Sequence, residues 1–149
     1  MERTFGITPA SNAPFIFIVA IGILFILLIG LFAFIGYSAR NVKFEVSEPG
    51  LRIKGGIYGR FIPKEEIVGE GVEIINLNVS QEYKPGIRTN GIGLPGYSEG
   101  WFKLRNNEKA LLFVTDRSNV VYVPTSQGYS VLLSVQDSEE FYKSTKLWR

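Results

Sequence analysis

The side chains that most often carry chemistry are missing from this chain, which holds no Cys and no His. That removes thiolates, disulfides and lipidated cysteines, together with the commonest general base and the commonest metal ligand. Carboxylates, hydroxyls and amines remain. Glu65-Glu66, Glu70 with Glu73, and Glu139-Glu140 are the candidate acid–base pairs. The first two fall in a polar bend and the third in the first turn of a helix, all solvated. An acid–base pair instead needs two carboxylates whose surroundings push their acidities apart. Gly91-Ile92-Gly93-Leu94-Pro95-Gly96 spells a dinucleotide loop, but that loop requires a strand before it and a helix opening from it. Tyr97-Ser98-Glu99-Gly100 continues as a strand, so the run reads as a turn-rich loop. Asn78-Val79-Ser80 spells a glycosylation acceptor that matters only in a secreted eukaryotic domain. No catalytic, cofactor-binding or metal-binding residue is expected, and the chain reads as a non-enzyme.

Recognition is what the remaining residues are suited to. The segment Ser80 to Gly100 holds Pro85-Gly86, Pro95-Gly96 and Asn90-Gly91, and a loop of that length is either functional or hides a short strand. Aromatics on a positioned loop make good partner contacts. Tyr83, Arg88, Asn90, Tyr97 and Trp101 are therefore the expected partner-binding residues; the alternative is that the aromatics fold back to lid the domain. A second set, Arg40, Lys43, Arg52, Lys54 and Arg60, follows an apolar segment closely. Each basic residue near an anionic leaflet gains on the order of 1 kcal/mol. The bland reading of these residues is the solvated face of a half-buried hairpin.

The elements that position them begin with Phe15 to Ile35, which has no charged or strongly polar side chain. As a helix its roughly 21 residues reach about 31 Å, the thickness of a bilayer's hydrocarbon core. Residues 1–13 read as a disordered tail, 14–37 as a transmembrane helix and 42–147 as one domain. A cleaved signal is the alternative, but a signal's apolar region is shorter and follows a basic start, whereas only Glu2 and Arg3 precede this one. Arg40 and Lys43 after the span outnumber Arg3 before it, which places the domain in the cytoplasm by the positive-inside tendency.

From Lys43 the apolar period becomes alternating. Strands are expected over 43–47, 51–54, 57–62, 71–79, 101–104, 110–115, 120–123 and 129–135, with Gly55-Gly56 as a hairpin turn. A helix closes the chain, capped by Ser134 or Asp137, with Glu139 and Glu140 in its first turn and Phe141 and Leu147 facing the sheet. About seven strands and one helix make a mainly β fold, a seven-stranded antiparallel barrel or sandwich with a C-terminal helix.

Several stretches resemble a bacterial pleckstrin-homology-like (PH-like) domain. They are Pro49-Gly50-Leu51-Arg52-Ile53, Gly56-x-Tyr58-Gly59, Ile62-Pro63, Arg88-Thr89-Asn90-Gly91, Pro95-Gly96-Tyr97 and Gly100-x-Phe102, with Ser134-x-x-Asp137-Ser138-Glu139-Glu140-Phe141 at the end. The resemblance covers about residues 42 to 146. Lys54, Arg60 and Lys64 lie where lipid-binding PH domains of eukaryotes hold inositol phosphates, although Ile62 stands where those domains have a further basic residue.

The net charge of +2 comes from 16 basic and 14 acidic residues, which is no footprint for nucleic acid. The expectation is a single-pass protein of the bacterial inner membrane that carries a PH-like interaction or scaffolding module. Its partners are the bilayer and a protein or a second copy, and it needs no cofactor. Sensing of anionic lipid headgroups is the alternative.

Overall fold

The computed structural model describes residues 1–149 and divides into two units, Met1–Tyr37 and Ser38–Arg149. The first unit is dominated by helix α1 (Ala13–Arg40). Pro14 sits in its first turn, where the missing N–H costs nothing. The helical ladder starts with Ile16 N–H donating to Asn12 C=O at 3.0 Å. No residue of α1 is buried. It is the one helix of the chain long and apolar enough to cross a membrane.

The second unit contains two sheets. The smaller holds β1 (Lys43–Ser47), β2 (Gly50–Lys54) and β3 (Phe61–Pro63) in that order, all antiparallel. Alternation sets its faces: Phe44, Val46, Leu51, Ile53 and Ile62 turn inward, while Lys43, Glu45, Arg52, Lys54 and Phe61 turn outward. Gly50 leaves the tight β1–β2 turn at φ +145°, with Ile62 C=O so close that any Cβ would collide with it. Only glycine fits there.

The larger sheet comprises β4 (Glu73–Ile75), β5 (Pro85–Leu94), β6 (Tyr97–Leu104), β7 (Lys109–Val114), β8 (Val120–Pro124) and β9 (Tyr129–Leu133), in the spatial order β4-β8-β9-β7-β6-β5. Its only parallel pair is β7 with β9. The chain between β7 and β8 must therefore cross the end of β9. Ser134, the first residue after β9, fixes that crossing: its hydroxyl accepts from Thr115 N–H (3.0 Å) and Asp116 N–H (3.1 Å) and donates to Asp116 C=O (2.9 Å).

Both faces of this sheet are buried, which is why β7 reads Ala-Leu-Leu-Phe-Val without alternation. One face packs Leu111, Phe113, Val121, Val123, Val131 and Leu133 against Leu51, Ile53 and Ile62 of the small sheet. Its other face, with Phe102, Leu104, Leu112, Val120 and Leu132, is covered by Leu77 and Tyr83. These two residues belong to the connection from β4 to β5, a strap bonded to the sheet's turns at both ends. Leu77 N–H donates to Arg117 C=O (2.7 Å), and Glu82 and Lys84 C=O accept from Asn106 and Arg105 N–H (both 3.0 Å).

The mainly β, sandwich-like architecture with a closing helix agrees with the sequence reading, and its details differ in three ways. Nine strands form instead of about seven, and the sheets stay open. The segment 80–100, read as a loop, is largely the β5–β6 hairpin, turning through Pro95-Gly96 with Gly96 at φ +75°. Gly55 and Gly56, at φ +83° and +70°, open a longer loop, so the returning strand is only Phe61–Pro63. The closing helix α2 (Ser138–Ser144) is capped by Asp137, one of the two expected caps, whose carboxylate accepts from Glu140 N–H at 3.0 Å, while Ser134 is occupied elsewhere.

Phe141 faces the core as expected. Leu147 does not; it is 55% exposed, and Trp148, 8% exposed, fills the core in its place. The Trp148 indole N–H donates to Ser47 C=O at 2.9 Å. Trp148→Ala is expected to lower stability by about 3–5 kcal/mol, and Leu147→Ala to stay within about 0.5 kcal/mol of the parent. Urea unfolding of both variants measures this.

Candidate recognition site

The loop Gly55–Arg60 joins β2 to β3 and has almost no regular structure of its own to hold it. Glu99 of β6 holds it instead. This carboxylate points inward beside Phe113, its Cα partner on β7, and is completely buried. One oxygen accepts from Ile57 N–H (2.7 Å) and Tyr58 N–H (3.3 Å), and the other accepts the Tyr97 phenol in a short hydrogen bond. A Cβ on Gly56 would collide with the carboxylate, so glycine is needed at its closest approach. Burial first, then the bond to Glu99 and its charge, push the Tyr97 phenol well above the ordinary tyrosine range.

The pinned loop delivers two side chains. Tyr58 OH donates to Asn90 Oδ1 at 2.9 Å. The Arg60 guanidinium lies over the Trp101 indole, 4.9 Å from its centroid, and Lys109 Nζ lies over the same ring at 4.4 Å. Tyr129 meets Trp101 edge-on at 5.1 Å. Lys103 and Lys109 are Cα partners across β6 and β7 and so share this face with Trp101 and its partner Leu111. The single ion pair of the chain is Lys54–Glu45, at 2.6 Å. Arg60, Lys103 and Lys109 thus form a basic strip around one half-buried tryptophan with no carboxylate in contact.

Of the residues expected to bind a partner, Tyr83 and Tyr97 turn inward. Tyr83 stacks on Tyr122 at 4.7 Å and donates to Glu73 at 3.1 Å, anchoring the strap. Arg88 and Asn90 are exposed, but a bulge between them puts them on opposite faces of β5: Arg88 pairs with Phe102 and Asn90 with Trp101. Trp101 and Asn90 are thus together, and Arg88 is apart from them. Among the residues assigned to lipid, Lys43, Arg52 and Lys54 share the outer face of the small sheet, with the Arg52 guanidinium 5.0 Å from the Phe61 ring centroid. Arg40 ends α1. Arg60 leaves that set for the Trp101 cluster.

Glu99, Lys103 and Lys109 escaped the sequence reading. The signal for them was present: placing Trp101 in a strand puts residues 99, 101 and 103 on one face.

A second polar cluster is closed on itself. Tyr122 OH donates to Glu108 at 2.9 Å, and the fully buried Ser130 hydroxyl makes a short bond to the same carboxylate. Burial, outweighing the opposing Ser130 bond and aided by Glu108, pushes the Tyr122 phenol up to about 12. No grouping of acidic side chains is built to hold a metal.

A family model described as the bacterial PH domain matches residues 42–147, most of the chain. The chain belongs to the bacterial PH domain family. That match spans the whole two-sheet unit from β1 through α2, and domains of this class commonly bind lipids or proteins. Neither a curated protein nor a solved structure matches the chain.

The two half-buried phenols, Tyr97 and Tyr122, give this PH domain an alkaline limit. An unfolded tyrosine ionises near pH 10, whereas the folded Tyr122 and Tyr97 hold their protons to higher pH. The folded state then binds more protons than the unfolded one, and stability falls as pH rises. Their contribution is intact below about pH 10 and declines through about pH 12 for Tyr122 and beyond for Tyr97. Urea unfolding of the parent and of Tyr122→Phe across this window should show a shallower decline in the variant.

Proposed function

We propose that this bacterial PH domain protein is a non-catalytic interaction module, held at the cytoplasmic face of the inner membrane by α1, which receives a protein partner along strand β5. The observation that carries the reading is β5 itself. It runs for 10 residues at the edge of the large sheet, is exposed or half-exposed throughout, and pairs with β6 alone. An edge strand offers a row of unpaired backbone donors and acceptors, and proteins blunt such edges with short length, charges, proline or bulges. This one is long, with Arg88 its single charge; Pro85 and the two bulges fall in its first half, and Asn90 to Leu94 pair with β6 in unbroken register.

Support for the anchor comes from α1, which is apolar on every side from Phe15 to Ile35 and so suits lipid. Only Asn41 and Val42 separate it from β1, so the tether keeps the domain near the bilayer. A photo-crosslinking residue at Thr89 in the full chain, in its membranes, should give a protein adduct, either with another protein or with a second copy, while the same group at Lys146 gives none. Protein adducts at Lys146 but not at Thr89 would remove β5 from the reading.

A second reading, contact with anionic lipid, is favoured by the outer face of the small sheet. It sets Lys43, Arg52 and Lys54 against one carboxylate, Glu45, and leaves Phe61 38% exposed under Arg52. Basic side chains around an apolar ring suit a headgroup boundary. Residues 38–149 should cosediment with phosphatidylglycerol vesicles at low salt. The bound fraction should fall several-fold with Arg52→Ala/Lys54→Ala or with added salt. Absence of binding at low salt rejects this reading.

A further inference from the structure

Resting on the proposed use of β5 as a docking edge, we infer that the segment it receives is an extended, acidic one, read by Arg60, Lys103 and Lys109 around Trp101. The sheet places Lys103 directly opposite Lys109, a like-charge pair that destabilises a sheet when nothing neutralises it. Arg60 adds a third cation to the same face through its contact with Trp101. The chain supplies no carboxylate to any of the three. The nearest acidic side chains along the strands are committed elsewhere: Glu108 to Tyr122 and Ser130, and Glu99 to the loop. A partner must therefore bring the negative charge.

The strip is also within reach of a strand added at β5. Strands lie about 4.8 Å apart, so an added strand would run about 10 Å from β6, which bears Lys103, a gap spanned by a Glu side chain meeting a Lys. It would run about 14 Å from β7, from which Lys109 reaches back over the Trp101 ring of β6. The β5 residues facing that gap are Ile87, the partner of Lys103, and Asn90, the partner of Trp101. Neither is charged, so neither competes for the cations. Alternate residues of an added strand point to this face, and acidic residues at every second position would meet the strip while their backbone pairs with β5. The open edge of β5 favours a polypeptide over a lipid, which has no use for unpaired backbone groups.

The test uses the full chain in phosphatidylcholine nanodiscs and fluorescently labelled short peptides, with binding read by anisotropy. A peptide alternating Glu and Val should bind and weaken as salt rises. A Ser-Val peptide, a Lys-Val peptide and a Glu-Val peptide broken by proline should each bind at least about tenfold more weakly. The variant Arg60→Ser/Lys103→Ser/Lys109→Ser, whose three sites are all exposed, should lose the same factor for Glu-Val while keeping its thermal unfolding profile.

Equal binding of Ser-Val and Glu-Val overturns the acidic specificity and leaves the β5 edge in place. Equal binding of the proline-broken peptide overturns the extended mode. If Thr89 crosslinks to protein but no peptide binds, the inference fails and the docking reading stands. Phosphatidylglycerol vesicles bound through the three cations, without peptide binding, would assign the strip to lipid and overturn it.

Discussion

Glu99 carries a charge into the space between the two sheets, with no cation beside it. Removing a carboxylate from water costs several kcal/mol unless other groups replace its solvation. Here two backbone N–H groups and a phenol do so, and charge-assisted bonds of this kind are the stronger ones. The consequence lies in the loop and not at the carboxylate. Residues 55–60 contain three glycines and pair with little else, so without Glu99 they have no fixed path. With it, Tyr58 reaches Asn90, Arg60 reaches Trp101, and the small sheet is tied to the large one by directional bonds as well as by apolar contact.

The large sheet raises a different problem, because its two apolar faces must both be covered. The small sheet and the C-terminal helix cover one, with Phe141 and Trp148 as the closing side chains. The strap from β4 to β5 covers the other, and its cost is an irregular backbone laid against an apolar surface. Bonds to the turns at Arg117 and at Arg105–Asn106 satisfy that backbone. Tyr83, seated on Tyr122 and bonded to Glu73, holds the end that leads into β5. A tyrosine that looks available for a partner is thus needed to keep the core dry.

The architecture was legible where side chains report their own burial. Alternation in β1 and β2, the unbroken apolar run of β7 and the acidic first turn of α2 all follow from local rules. So does the long helix α1, whose apolar residues from Phe15 to Ile35 fall on every side. β5 was not legible, because Pro, Gly and Asn normally mark loops. What makes it a strand is its pairing with β6, a tertiary effect that accommodates its glycines and two bulges. The same bulge separates Arg88 from Asn90, which spacing alone would put on one face. Glu99 was hidden for a related reason: a carboxylate after a Pro-Gly turn looks solvated until the strand that buries it is known. Leu147 and Trp148 are adjacent apolar residues, and only the shortened final helical turn decides which one faces inward.

The basic residues divide between two surfaces of the same domain, and the fold explains why. Lys43, Arg52 and Lys54 alternate outward from the small sheet, and Glu45 already neutralises part of their charge. Arg60 sits one residue before Phe61, so the strand's alternation sends it to the opposite face, where Glu99 has fixed its approach to Trp101. Lys103 and Lys109 reach that same face from the large sheet. The domain thus carries two separate basic surfaces, one on the outside of the small sheet and one beside the β5 edge, because the two sheets turn their alternate residues to different sides.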